Sequence, residues 1–317
     1  MAEQHSALKP QNPALVPSDH GCRTLLSIVM YYIKPAPFLN EALSSIVTQR
    51  TDEVELIVVA GHAAGEDLGI APHLMASIDN LIVETDDGPW DAANKGWRAA
   101  QGQWIQFCMS DDWLPEGSLE RTLQVLRSDP KGGVLSGGMT FVTSDANGNL
   151  RTIRSVGAQD LVLDRILDDV ATPAVIVRRT VLEELGGFDR RFAQAHDREL
   201  LLRAWRRKIP HQQLAHETYR MRVHGLSRTT SGNPMVKLAY WRDHVSFADA
   251  LLLTGELLDE QQAKLQRWRD EELIKFRIVQ CVTAAYGAPF SVRLPIHRGI
   301  AALIRIGCRK LARRRSS

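Results

Sequence analysis

The sequence predicts an α/β fold, a mostly parallel sheet flanked by helices, with a helical extension at its C-terminal end. Three observations carry that expectation. Near-continuous apolar runs recur as LLSIVMYYI, VELIVVAG and QWIQFCM, the composition of strands buried on both faces. Helix-like segments fall between them at short intervals, the alternation that a parallel sheet requires. Beyond residue 235 the strand signal gives way to KLAYWRDHVSFADALLL and a charged, helix-favouring run from Asp259 to Glu272.

The elements follow in order. Residues 25–33 form a first strand; PAPFLNEALSSIVTQ then places Phe38, Leu39, Ala42 and Ile46 at near-helical spacing. VELIVVAG (54–61) is a second strand, closed by a glycine. A weaker helical pattern spans 66–78, and NLIVETDDG (80–88) is a third strand running into acidic turn residues. DAANKGWRAAQG (91–102) reads as a short helix capped by Gly102, and QWIQFCMSDD (103–112) as a fourth strand. In the second half, residues 134–155 form a hairpin with Asn147-Gly148 at the turn. TPAVIVRRTVLEELGGFDRRF (172–192) gives a strand, a helix from about Thr180 and a Gly-Gly loop. AHDRELLLRAWRRK (195–208) is a helix with Leu200, Leu201 and Ala204 inward.

Composition narrows the function classes. The chain has 317 residues, 44% hydrophobic and 24% charged, and no apolar run near the roughly 20 residues that span a bilayer. Four well-separated cysteines without CxxC spacing argue for a reducing compartment, against a disulfide framework and against structural zinc. The N-terminal stretch is polar and lacks the pattern of a signal peptide, so the expected location is the cytoplasm. Of 39 Lys and Arg, eight lie in residues 291–317, which hold no acid, leaving 31 against 37 Asp and Glu elsewhere. In that tail Ile300, Leu303, Ile304 and Leu311 oppose Arg298, Arg305, Arg309 and Arg313 on a helical wheel. Such a segment either adsorbs to an anionic membrane surface, making the protein peripheral at the inner face, or packs on the protein's own body. A nucleic-acid partner is not expected, because the tail lacks interleaved aromatics and the body is acidic.

The chemistry concentrates at strand ends, where ligands of such sheets bind. Asp111 and Asp112 are adjacent at the end of the fourth strand. Two carboxylates about 5 Å apart repel by roughly 3 kcal/mol at an effective dielectric near 20, so the pair calls for open water or a cation. Asp86 and Asp87 occupy the end of the third strand. Asp197 lies in the first turn of its helix, where the dipole alone favours a carboxylate.

The order of these segments resembles glycosyltransferase family 2, inverting transferases of GT-A fold that use nucleotide-sugar donors. LLSIVM with FLNEALSSIVTQ, ELIVVAG, DDGPWDAANKGWRAAQGQWIQFCMSDD and AVIVRRTVLEELGGFDRRFAQAHDRELLLR carry the likeness, over about residues 24–230. It implies a GT-A domain at 23–232 with donor half 23–130 and acceptor half 131–232; the polar, proline-bearing residues 1–22 read as a flexible lead, and the helical pattern that follows the domain as an extension at 233–317. It further implies that Asp112, with Asp111 nearby on the donor, anchors Mn²⁺ or Mg²⁺, and that Asp197 is the general base. Tyr31, Asp87, Asp91, Asn94 and Lys95 match the donor-binding block, although Asp91 could equally cap a helix and Lys95 could be solvated. His224 matches a late loop histidine that closes over metal or diphosphate, with a structural role as the alternative. Trp90 keeps an aromatic plane where relatives have tyrosine, and His196 receives no role. Two departures stand out: the first loop reads Tyr31-Tyr32-Ile33-Lys34, and the second strand ends Ala60-Gly61-His62, without the acid that would grip the nucleobase. Glu66 and Asp67 are the nearby candidates to replace it. The implied partners are a nucleotide sugar and a glycan or lipid-linked saccharide acceptor in polysaccharide biosynthesis; the alternative is a non-catalytic binding or scaffold protein of the same fold. A nucleotidyltransferase is disfavoured because residues 31–37 contain no glycine for a phosphate loop.

Overall fold

The computed structural model describes residues 24–286, apart from 35–36, 64, 146, 169–170, 226 and 228–232. The N-terminal lead and the basic tail lie outside the described residues. The strands are β1 (Leu26–Tyr32), β2 (Val54–Ala60), β3 (Asn80–Val83), β4 (Trp104–Met109), β5 (Val134–Ser144), β6 (Leu150–Val156), β7 (Val175–Arg178) and β8 (His211–Arg222). They form one sheet in the order β3-β2-β1-β4-β7-β5-β6, with β8 also paired to β5. The first four are mutually parallel; β7 joins β4 antiparallel, and β8 runs parallel to β5.

Helices cover both faces, which is why the parallel strands carry no alternation. On one face Ile28, Met30, Leu56 and Val58 pack against α1 (Leu39–Val47) and α4 (Ser118–Arg127). On the other, Val29, Ile57 and Val59 meet α3 (Pro89–Ala99), and Val175 and Val177 meet α7 (His196–Arg206). A third cluster joins α7 to α5 (Leu163–Asp168), α8 (Pro234–Leu252) and α9 (Asp259–Tyr286) through Leu202, Phe247, Leu251, Leu265 and Trp268.

Several details differ from the sequence reading. Only Pro72–Met75 (α2) of the stretch 66–78 is helical, because Gly69 breaks the chain at a positive φ of 66° and the helix can begin only at Pro72. The helix after β3 begins at Pro89 and ends at Ala99. Gly102 does not cap it; a Cβ there would lie 2.6 Å from the Ser27 backbone nitrogen, so Gly102 lets the chain re-enter the sheet against β1. The helix of the strand-helix-Gly-Gly segment is α6 (Arg179–Leu185), one residue earlier than expected. Helices α4 and α5 and the twelve-residue β8 had not been anticipated. No helix among the described residues is long and apolar enough to cross a membrane.

Register decides where the site forms. Tyr31 is opposite both Val59 and Met109, and Ala60 is opposite Val83. All four parallel strands therefore release their chains at one edge of the sheet.

Candidate active site

At that edge the chain turns after β4, and the turn separates two neighbouring carboxylates. Asp112 N–H closes on Met109 O at 3.2 Å, which sends Asp112 inward and Asp111 outward. Asp112 is 3% exposed, with both oxygens occupied: Oδ1 accepts the Arg222 backbone N–H at 2.7 Å and Oδ2 the Tyr219 hydroxyl at 2.8 Å. It thus ties the end of β8 to the end of β4. Burial, then the negative charge of Asp111, push its pKa up to about 8 against those two donors. Beside it the Arg222 guanidinium is stacked between Phe38 and Trp113 and bonded to Glu41 and the Asp111 carbonyl, which fixes the exit of β8.

Asp111 faces the opposite way. Its Oδ2 lies 2.9 Å from His224 Nε2, two residues past β8, and both side chains border a cavity of about 620 Å³ at the sheet edge. Asp112 also borders the cavity, and each of its oxygens keeps a lone pair beside the one donor it accepts, so it stays a candidate anchor, while Asp111 with His224 offers the more exposed carboxylate-imidazole pair. Among the described residues no group of three or more His, Cys, Asp or Glu is assembled to cage a cation. A two-ligand site fits an ion such as Mg²⁺ or Mn²⁺ that keeps waters and takes further oxygens from substrate phosphates.

Asp197 reaches the same cavity from the first turn of α7. Its Oδ1 accepts the Arg198 N–H at 2.8 Å, and its Oδ2 accepts a short hydrogen bond from the Thr172 hydroxyl, in the turn before β7. The loop entering α7 is held from outside the sheet: Asp243 on α8, 1% exposed, accepts the N–H groups of Gln194 at 2.7 Å and Ala195 at 3.4 Å. The C-terminal helices thus fix the start of the helix that carries Asp197.

The predicted donor block divides. Tyr31 borders the cavity. Asp87 does not; it is exposed, and the carboxylate that enters the cavity is its neighbour Asp86. A Cβ on Gly61 would lie 2.1 Å from Asp86 Oδ2, so the glycine leaves room for Asp86 to lie across the end of β2. Asp86 thereby occupies the place where the sequence lacks an acid. Neither Glu66 nor Asp67 fills it, since Glu66 pairs with His62 at 2.8 Å and Asp67 accepts the Gly69 N–H. Asp91 accepts the Asp87 N–H and pairs with Lys95 at 3.1 Å, stabilising the first turn of α3. Lys95 also bonds Glu84 and the Thr85 carbonyl, away from the cavity. Asn94 is buried and bridges Phe188 N–H, Phe188 O and Trp97 Nε1, clamping the Gly-Gly loop to α3. These three residues hold α3 and the segments around it in place and do not line the cavity.

Thr172, Asp243 and Tyr219 are the participants that sequence reasoning missed, none of them with a local signal. Asp86 was placed with Asp87 at a ligand-binding strand end but given no role of its own.

Residues 27–186, about half of the chain, match the family described as Glycosyl transferase family 2. The chain belongs to that family. It is accordingly a glycosyltransferase, with a GT-A type of fold. It is 27% identical over 187 residues to the "PGL/p-HBAD biosynthesis glycosyltransferase" of Mycobacterium bovis, covering 57% of this chain and 70% of that one. It is 29% identical over 102 residues to the "Putative glycosyltransferase EpsH" of Bacillus subtilis, covering 31% of this chain and 29% of that one. Among solved structures, S. aureus TarS 1-349 in complex with UDP-GlcNAc aligns with a TM-score of 0.57 at 16% identity, over 80% of this chain and 72% of that one. The mannosyltransferase PcManGT from Pyrobaculum calidifontis, in complex with GDP-Man and Mn²⁺, aligns at 0.54 and 17%, over 89% and 81%.

Proposed function

We propose that this family 2 glycosyltransferase is inverting and metal-dependent, moving a sugar from a nucleotide-sugar donor to a hydroxyl of a glycan or lipid-linked acceptor. The observation that carries the proposal is the shared cavity: Asp111 with His224 and Asp197 with Thr172 face one space at the carboxyl ends of the parallel strands. Along that edge the order β3-β2-β1-β4-β7 sets Asp86 first, then Tyr31, then Asp111, then Thr172 and Asp197. The span from β2 to β4 is two strand spacings, about 10 Å, the scale of an extended nucleoside diphosphate. Asp86 and Tyr31 are then assigned to the nucleoside, accepting its N–H or O–H groups and packing on its base. Asp111 and His224 are assigned to the diphosphate end.

A divalent cation held there by Asp111 and His224 would supply positive charge opposite the negative charge that gathers on the leaving diphosphate. Asp197 accepts the proton of the acceptor hydroxyl as that oxygen attacks the anomeric carbon. The Thr172 hydroxyl and the Arg198 N–H fix the carboxylate plane so that a remaining lone pair meets the acceptor. Attack from the side opposite the diphosphate inverts the configuration. The sequence of the tail, residues 291–317, supports an approach to an anionic membrane surface on the cytoplasmic side, where a lipid-linked acceptor would lie.

A scaffold reading rested on the absent acid at Ala60, and the placement of Asp86 removes its main support. The test is donor hydrolysis across the common nucleotide sugars, with and without Mn²⁺. Metal-dependent release of one nucleoside diphosphate supports the proposal, whereas no hydrolysis of any donor under either condition contradicts it.

A further inference from the structure

Four aspartates border the cavity, Asp86, Asp111, Asp112 and Asp197, whereas among its described lining residues there is a single Lys or Arg, Lys34. The other cations near the site are engaged elsewhere. Lys95 is held by Asp91, Glu84 and the Thr85 carbonyl, Arg222 by Glu41 and the Asp111 carbonyl, and Arg198 by the carbonyls of Ile166 and Leu167. Lys34 is exposed and makes no hydrogen bond or ion pair with the described residues. The prolines at 35 and 37 disfavour helix, and α1 does not begin until Leu39, so Lys34 sits on a loop at the carboxyl end of β1. β1 lies between β2 and β4, and the Gly61 N–H still bonds the Tyr32 carbonyl at 2.8 Å where the strands end. The loop therefore leaves the sheet between Asp86, which lies across the end of β2, and Asp111, in the turn after β4.

Asp86 and Asp111 are assigned above to the two ends of a nucleoside diphosphate. β1 stands one strand spacing, about 5 Å, from each of its neighbours, so the group that passes over its end is the phosphate attached to the ribose. That phosphate is anionic, and the carboxylates on either side of it repel it. A divalent cation at Asp111 and His224 answers the charge of the terminal phosphate, one step further along the edge. The inner phosphate needs a cation of its own, and a lysine ammonium, a compact point charge on a flexible four-carbon stem, can supply it through a charge-assisted hydrogen bond. We propose that Lys34 binds the α-phosphate of the donor nucleotide and is the protein cation that lets this acidic cavity accept an anionic ligand. This rests on the donor reading of Asp86 and Asp111.

The test titrates the full chain, wild type and Lys34→Met, with uridine, UMP and UDP and with guanosine, GMP and GDP, in the presence of Mn²⁺. For the base that the wild type prefers, Lys34→Met is expected to weaken the monophosphate and the diphosphate alike, each by about tenfold. The free nucleoside should stay within about twofold, and Lys34→Arg should keep most of the affinity. Added salt should weaken monophosphate binding more steeply in the wild type than in Lys34→Met. Unchanged monophosphate affinity in Lys34→Met, a loss confined to the diphosphate, or an equal loss for the free nucleoside overturns the assignment. If one of these results comes while the wild type binds a diphosphate with Mn²⁺, the donor reading stands and Lys34 alone is excluded. If the wild type binds none of the six compounds, the donor reading and the role of Lys34 fall together.

Discussion

Replacing Asp243 by alanine tests whether the C-terminal helices are part of the catalytic apparatus. The carboxylate is 1% exposed and accepts two backbone N–H groups, at 2.7 and 3.4 Å, from the loop that enters α7. A hydrogen bond to a charged group contributes roughly 1.5–3 kcal/mol, and the longer contact contributes less, so the truncation should cost about 2–3 kcal/mol. For a chain of this size that corresponds to a melting temperature about 5 °C lower. The larger effect is functional. Gln194 borders the cavity and Asp197 lies two residues beyond Ala195; a displacement of about 1 Å in a reacting group can cost on the order of 100-fold in rate. Thermal unfolding by circular dichroism, set beside kcat for transfer and KM for the donor, reads both parts. The expected result is a large fall in kcat, a nearly constant donor KM, and partial recovery in Asp243→Asn, which keeps an acceptor oxygen. A variant with wild-type kcat, or one whose loss is entirely in donor KM, would refute the argument that Asp243 acts by holding Asp197.

Three further outcomes follow from the same geometry. Thr172→Val removes the hydroxyl that orients Asp197, so kcat should fall about tenfold or more with little change in melting temperature; unchanged kcat would show that the bond is incidental. Gly61→Ala would place a methyl where Asp86 Oδ2 now lies, 2.1 Å from it, and isothermal titration should show UDP binding weakened about as much as in Asp86→Ala. If Gly61→Ala bound UDP like the wild type, Asp86 would not be the nucleoside contact. Stability should also fall in mild acid. Burial holds the His244 pKa below its ordinary 6.5, so its neutral form stabilises the fold above that value, and this contribution is lost as pH falls. Burial pushes its partner Glu272 up, but bonds to His244 and Lys275 outweigh this and leave it below the ordinary carboxylate value, so its contribution is lost in the same direction. Urea midpoints between about pH 7 and pH 4 check this, and His244→Gln should flatten the upper part of the decline.

The parts of the fold legible in the sequence were those whose burial is two-sided. β1, β2 and β4 are enclosed by helices on both faces, so their apolar runs are nearly unbroken and local composition suffices to find them. β8 escaped because HQQLAHETYRMR is half polar and partly exposed, and is a strand through pairing with the distant β5. The site was legible as a set of strand ends and carboxylates, but not in the orientation of neighbours. That Asp112 is buried and Asp111 more exposed, though both border the cavity, depends on a turn closed onto Met109 and on donors from β8, more than 100 residues away. The same limit separates Asp86 from Asp87. Asn94 shows the converse: a motif residue read as a ligand contact is consumed by holding Phe188 and Trp97, a demand visible only once those segments are packed together. Asp243 gave no local sign, because its role is set by the contact between α8 and the loop before α7.

The central claim is that the outward carboxylate of the adjacent pair, with His224, holds a cation that binds a nucleoside diphosphate. Calorimetric titration of UDP and GDP into the protein, with and without Mn²⁺, for the wild type and Asp111→Asn, tests it most directly. The account predicts metal-dependent heat for at least one nucleotide in the wild type and its loss in Asp111→Asn, while Asp197→Asn retains it. Binding that is indifferent to Mn²⁺, or that survives intact in Asp111→Asn, would contradict it.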